Sequence, residues 1–213
     1  AGQGAASRFI QAGNVPNPET GQTQFYFTTG GSVRAKVLYQ NGKFIIFTVV
    51  TSSGSINARV FDPNTDINLP GATNLTTTLI SPYNYDVSAY STTDFLISWC
   101  AAAKFTWRRY NTSLVQQTTQ NIVAVTPTAS SIEGSSVTGK VNVAYVDATS
   151  GNAGPATLQT FVASSAATSG ASQSLFGAQR VVALSVTRKG VGASATAQVM
   201  VTAFNTQSSC VQK

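Results

Sequence analysis

The chain has 213 residues and one sizeable hydrophobic share, 42%, so it can bury a core and is not a repulsive, disordered polyelectrolyte. Only 9% of residues are charged, and the net charge of +6 is scattered, with Arg108-Arg109 and Arg188-Lys189 as its densest clusters. A nucleic-acid binder concentrates its basic residues on one face, so this distribution argues against that class.

Taken in chain order, short runs rich in Val, Ile, Phe and Thr recur between Gly, Ser and Asn, and no long stretch has the 3.6-residue apolar period of a helix. The runs come in pairs. The first member starts on a charge, at Arg8, Lys43, Asp94, Lys140 and Arg180. The second closes on an aromatic, at Phe27, Phe61, Tyr110, Phe161 and Phe204. Both sets of anchors keep a loose period of roughly 40 to 50 residues, which is the signature of a stacked β array. Asn41-Gly42 is the favoured dipeptide of a type I′ hairpin turn and predicts a hairpin joining the Val37–Tyr39 and Phe44–Val50 runs. Thr126-Pro127 with the Ser-rich stretch up to Ser131, and the Ser/Ala-rich stretch Ala163–Ser174, read as loops between units.

The second pair carries a resemblance. Tyr39-Gln40-Asn41-Gly42-Lys43-Phe44-Ile45-Ile46-Phe47, followed by Ile56-Asn57-Ala58-Arg59-Val60-Phe61-Asp62, resembles the blade repeat of secreted microbial β-propellers. The match covers about one unit; the other four share only its hydrophobic rhythm. The expected fold is all-β, one domain over 1–213, a propeller-like array of about five short hairpin or blade units. A β-sandwich or jelly roll is the alternative, because hairpins at regular intervals also build those folds.

No histidine is present, which removes Ser-His-Asp and Cys-His catalysis and imidazole metal sites. Seven carboxylates remain, and Asp86 with Asp94 is the pair considered for glycosidase chemistry, which needs two carboxyls at a set separation. The chain is read as non-enzymatic, with no cofactor. Asp62, Asn64 and Asp66 match the first half of a calcium loop, whose glycine and closing acid are missing, so an Asn/Asp turn is the simpler reading.

Tyr83, Tyr85, Tyr90 and Trp107 are the candidate contacts for a sugar ring or a partner's pocket, with Trp99 nearby; the competing reading makes both tryptophans core. Repeated sugar-binding aromatics, one set per blade, are usual in lectin propellers, whereas both tryptophans here lie in one unit. Low charge with abundant Ser and Thr reads as extracellular, where two cysteines favour a Cys100–Cys210 disulfide; two buried free thiols are the alternative. Asn74 and Asn111 head glycosylation sequons. The N-terminus suits a processed secreted chain, and no apolar run is long enough for a membrane helix. The expected function is a secreted structural subunit that self-associates into a filament, coat or surface layer. The alternatives are a carbohydrate-binding module with glycan partners and a viral capsid protein.

Overall fold

The computed structural model describes residues 6–9, 23–26, 33–50, 54–65, 71–76, 80–101, 104–123, 127–147, 154–176, 180–189, 198–205 and 210–212. Among them every regular element is a strand, so the chain is all-β as expected, and no helix is long and apolar enough to cross a membrane. The chain divides into two compact units, Ala1–Thr77 and Thr78–Lys213.

The first unit holds two sheets. β1 (Ala6–Phe9) pairs with β2 (Thr23–Tyr26). The other sheet is a meander of β3 (Val33–Gln40), β4 (Lys43–Val50), β5 (Ser55–Phe61) and β6 (Thr73–Asn74), in that order. Asn41 and Gly42 have φ of 50° and 74° and join Gln40 to Lys43, which is the two-residue turn the dipeptide predicts. Ile45 to Val49 of β4 are all buried, so both faces of that strand are covered.

The second unit is a stack of three sheets. One is β7 (Ile80–Ala89), β8 (Asp94–Ala101), β9 (Lys104–Asn111) and β10 (Gln116–Val123). The next is β11 (Pro127–Ser135), β12 (Lys140–Asp147), β13 (Ala156–Val162) and β14 (Gln173–Leu175). The last is β15 (Val181–Lys189), β16 (Gln198–Asn205) and β17 (Cys210–Gln212). Each sheet follows chain order, so none of the described sheets contains the Greek-key crossover of a jelly roll.

Strand alternation explains the stacking. On one face of the middle sheet, Ile132, Val141, Val143 and Phe161 pack with Leu96, Cys100, Phe105 and Trp107 of the preceding sheet. On the other face, Ala129, Ala144, Val146, Ala156 and Leu175 pack with Val181, Val186, Val201 and Ala203 of the following one. A strand such as Lys140–Asp147 therefore needs apolar residues at both parities, which Val141-Asn142-Val143-Ala144-Tyr145-Val146 supplies. At about 25 cal/mol per Å², burying such side chains on two faces is the main source of cohesion in the stack.

In three sheets the closing aromatic proves to face the residue that follows the starting charge. Phe44 faces Phe61, Phe95 faces Tyr110 with stacked rings 5.7 Å apart, and Val141 faces Phe161. In these three sheets the anchored hairpin joins the second and third strands. In the last sheet Arg180 precedes the first strand, and Phe204 on the second strand is opposite Ala183, three residues after that charge. Phe27 lies outside the described residues. Of the two expected inter-unit breaks, the one at Thr126-Pro127 falls between two sheets although Pro127–Ser131 belongs to β11, while the other is corrected: Ala163–Ser174 connects β13 to β14 within one sheet and includes the start of β14.

Candidate functional site

Two of the four residues expected to form an aromatic platform are buried. Trp107 is fully buried and tilted against Phe161 at 5.6 Å, and Tyr85 is buried as well. They also lie on opposite faces of one sheet, because Tyr85 is opposite Trp99 while Trp107 is one residue beyond Trp99's other partner, Thr106. Tyr90 is half-buried against the core, with the Arg109 guanidinium 5.5 Å from its ring centre. The Tyr83 side chain lies outside the described residues. Trp99 is buried under Arg108, whose guanidinium is 5.0 Å from the ring. Large aromatics in a two-faced sheet are needed as core, and that demand takes precedence over display.

The other candidates are placed as follows. Cys100 is a free thiol, buried among Leu96, Phe105 and Trp107, so the expected Cys100–Cys210 bridge is absent. The Cys210 side chain lies outside the described residues. Burial pushes the Cys100 thiol up from 9.0 to about 12, partly offset by a hydrogen bond with Ser130. Burial likewise raises the Tyr145 phenol. Asp62 accepts from the Asn64 backbone N–H at 3.0 Å and lies 3.9 Å from Lys43 Nζ. That is a local turn with a cation beside it, in place of an open cation loop; Asp66 lies outside the described residues. Among the described residues no group of three or more His, Cys, Asp and Glu could hold a metal. Asn74 is exposed at the end of β6. The Asn111 carboxamide oxygen accepts from the backbone N–H of Ser113 at 3.0 Å and Val115 at 2.9 Å, so it builds a turn.

The two carboxylates considered for catalysis are held apart. Asp86 is opposite Ser98, whereas Asp94 begins the same strand four residues earlier. That is roughly 13 Å of extended strand, beyond the separation of a glycosidase pair. Asp94 instead faces Arg109 Nε at 3.6 Å.

What the fold does bring together is a polar seam on the first strands of successive sheets. Asp86 Oδ2 accepts from Ser131 Oγ at 2.6 Å and from the Ile132 N–H at 3.1 Å. Ser131 Oγ accepts in turn from the Val186 N–H at 3.0 Å, so one chain of bonds crosses β7, β11 and β15. Ser88 Oγ donates to Glu133 Oε2 at 2.7 Å, and Asn84 Nδ2 donates to the Thr128 carbonyl. Residue numbers rise together along both strands, so β7 and β11 run parallel. Hydrogen bonds to a carboxylate are worth about 1.5–3 kcal/mol each, enough to fix the register between sheets. This seam was missed in the sequence because Ser and Asp in a strand look like solvent-facing alternation. The spacing of 45 between Asp86 and Ser131, and again between Ser88 and Glu133, was the available signal.

Surface display falls elsewhere. On β3, Ala35, Val37 and Tyr39 are exposed along one face, Tyr39 at 63% and Val37 at 46%. On β15, Val182, Ala183 and Ser185 are exposed, whereas no described side chain of the corresponding strand β11 is exposed.

No protein-family profile and no curated protein sequence matches the chain. Among solved structures, it is similar to a luciferin-regenerating enzyme at a TM-score of 0.44 and 8% identity, over 91% of this chain and 62% of that one. It is also similar to prolyl oligopeptidase B from Galerina marginata at 0.41 and 12%, over 88% of this chain and 26% of that one. The chain thus spans less than two thirds of either structure, and no activity is carried over from them.

Proposed function

We propose that this protein is a non-enzymatic structural module of a secreted assembly, a propeller-like array of short β-sheets that associates with further copies of itself into a filament, coat or surface layer. The observation that carries the reading is the open flank of the last sheet. The middle sheet has both faces covered by its neighbours, while β15 leaves Val182, Ala183 and Ser185 exposed. Stacked β units cannot bury both faces alone, so exposed apolar positions such as Val182 and Ala183 support contact with a further unit. Parallel first strands in successive meanders support the propeller-like arrangement. Low charge supports close approach between copies, because little repulsion keeps them apart.

The test is sedimentation velocity with negative-stain microscopy over a concentration series in native salt. Regular higher-order particles are expected. A chain that remains monomeric at its highest soluble concentration removes the proposal.

A further inference from the structure

Outer sheet edges are where the four larger sheets differ most. β6 has two residues, and β14 and β17 have three each. Very short edge strands are one of the devices by which proteins prevent unwanted pairing. β10 is an outer edge of eight residues, and among the described residues it is bonded only to β9. Its sequence, Gln116-Gln117-Thr118-Thr119-Gln120-Asn121-Ile122-Val123, contains no charge and no proline; its one irregularity is a register shift between Gln116 and Thr118, so the regular edge runs over 118–123. β3 is also an eight-residue edge, but it carries Arg34 and Lys36. Gln116 and Gln117 are exposed, and exposed Val115 precedes them.

We propose that β10 is a docking edge for the β10 of a second copy, joining two four-stranded sheets into one antiparallel eight-stranded sheet across a two-fold axis. This rests on the self-association reading and names its contact. An isologous antiparallel pairing sets residue i against j and j against i, so a charge near the two-fold would meet its own mate. A strand of Gln, Thr and Asn has no such penalty, and its amides can bond across the pair. The outward-facing backbone N–H and C=O groups supply the ladder, as in strand addition. A two-fold contact closes at a dimer, so extended growth needs a different second contact, and the open flank of β15 is in place to provide one.

The experiment is amide hydrogen exchange of the full chain at low and high concentration, run beside sedimentation velocity. As the protein assembles, exchange of alternate amides in 116–123 is expected to slow at least about tenfold. Assembly with unchanged exchange in 116–123 overturns the β10 contact and leaves the structural reading standing. No assembly at all overturns both. Two variants provide an independent arm. Thr119→Lys and Thr119→Glu, each placing like charges near the two-fold, should each weaken dimerisation about tenfold or more, and their equimolar mixture should restore it. Dimerisation of both variants at the parent's affinity overturns the contact.

Discussion

Replacing Gly134 with alanine tests how closely the sheets approach. Gly134 lies on β11, opposite Val141, and is buried. A methyl group there would stand 2.5 Å from Leu96 Cδ1, 3.0 Å from the Lys140 carbonyl oxygen and 3.2 Å from Tyr90 Cδ2. Carbon atoms prefer about 3.5–4.0 Å, so Leu96 must retreat by about 1 Å. It has little room, being fully buried in the cluster that contains Trp107 and Phe161. The Lys140 carbonyl is backbone in a paired strand and cannot swing aside freely. Overpacking of this kind costs about 1–3 kcal/mol. Urea unfolding followed by tryptophan fluorescence reads it directly, because Trp99 and Trp107 both sit in the β7–β10 sheet. A loss of about 2 kcal/mol at an ordinary m-value moves the midpoint down by about 1 M. Leu96→Ala alone should cost about 2–5 kcal/mol through its cavity. In that background the nearest clash is gone, so adding G134A should cost less than half of what it costs in the parent. A neutral G134A, or one equally costly with and without Leu96, would refute the packing argument.

Two further outcomes follow from the seam and the thiol. Asp86→Ala removes the acceptor for Ser131 Oγ and the Ile132 N–H, and should cost about 2–3 kcal/mol, with Asp86→Asn milder because its amide oxygen still accepts. Thermal melts that leave D86A at the parent's Tm would show the seam to be dispensable. Cys100 should resist alkylation in the native protein at pH 8 and react once the chain is unfolded, read by peptide mapping. Since folding holds its proton to about 12 against 9.0, the unfolded chain releases it first. Its contribution therefore makes stability fall as pH rises between those values, by about 1.4 kcal/mol per pH unit. A flat stability profile across that range, or rapid native labelling, contradicts the buried placement.

The strand content and the Asn-Gly hairpin were legible because they rest on local chemistry. Asn41-Gly42 dictates its own turn, and the charge-to-aromatic rhythm marks a registered cross-strand pair, as Phe95 with Tyr110 shows. The division of labour among residues was not legible, because it depends on which sheet lies against which. Trp107 and Tyr85 read equally well as display or as core until a second sheet covers one face. Cys100 read as half of a disulfide from compartment and count, but its neighbours are Leu96, Phe105 and Trp107. The loop at Ala163–Ser174 was placed between units because Ser and Ala carry no strand signal. Its role inside one sheet appears only from the pairing of β13 with β14.

The low charge has a structural cause that bears on how the protein meets its partners. A sheet with one wet face can carry charges at every second position of each strand. The middle sheet has no such face, and its parallel neighbour strands spend their polar positions on bonds such as Asp86 to Ser131. Several of the remaining charges sit at strand starts: Lys43 near Asp62, Asp94 near Arg109, and Lys140 bonded to Ser169. In such an architecture the outer rim is the natural place for charge, and charge there is also the usual protection of a long edge. β10 is a long outer edge of the stack and carries none. Core demand explains the missing charge on buried faces but not on this rim, and that difference is the basis of the pairing proposed for β10.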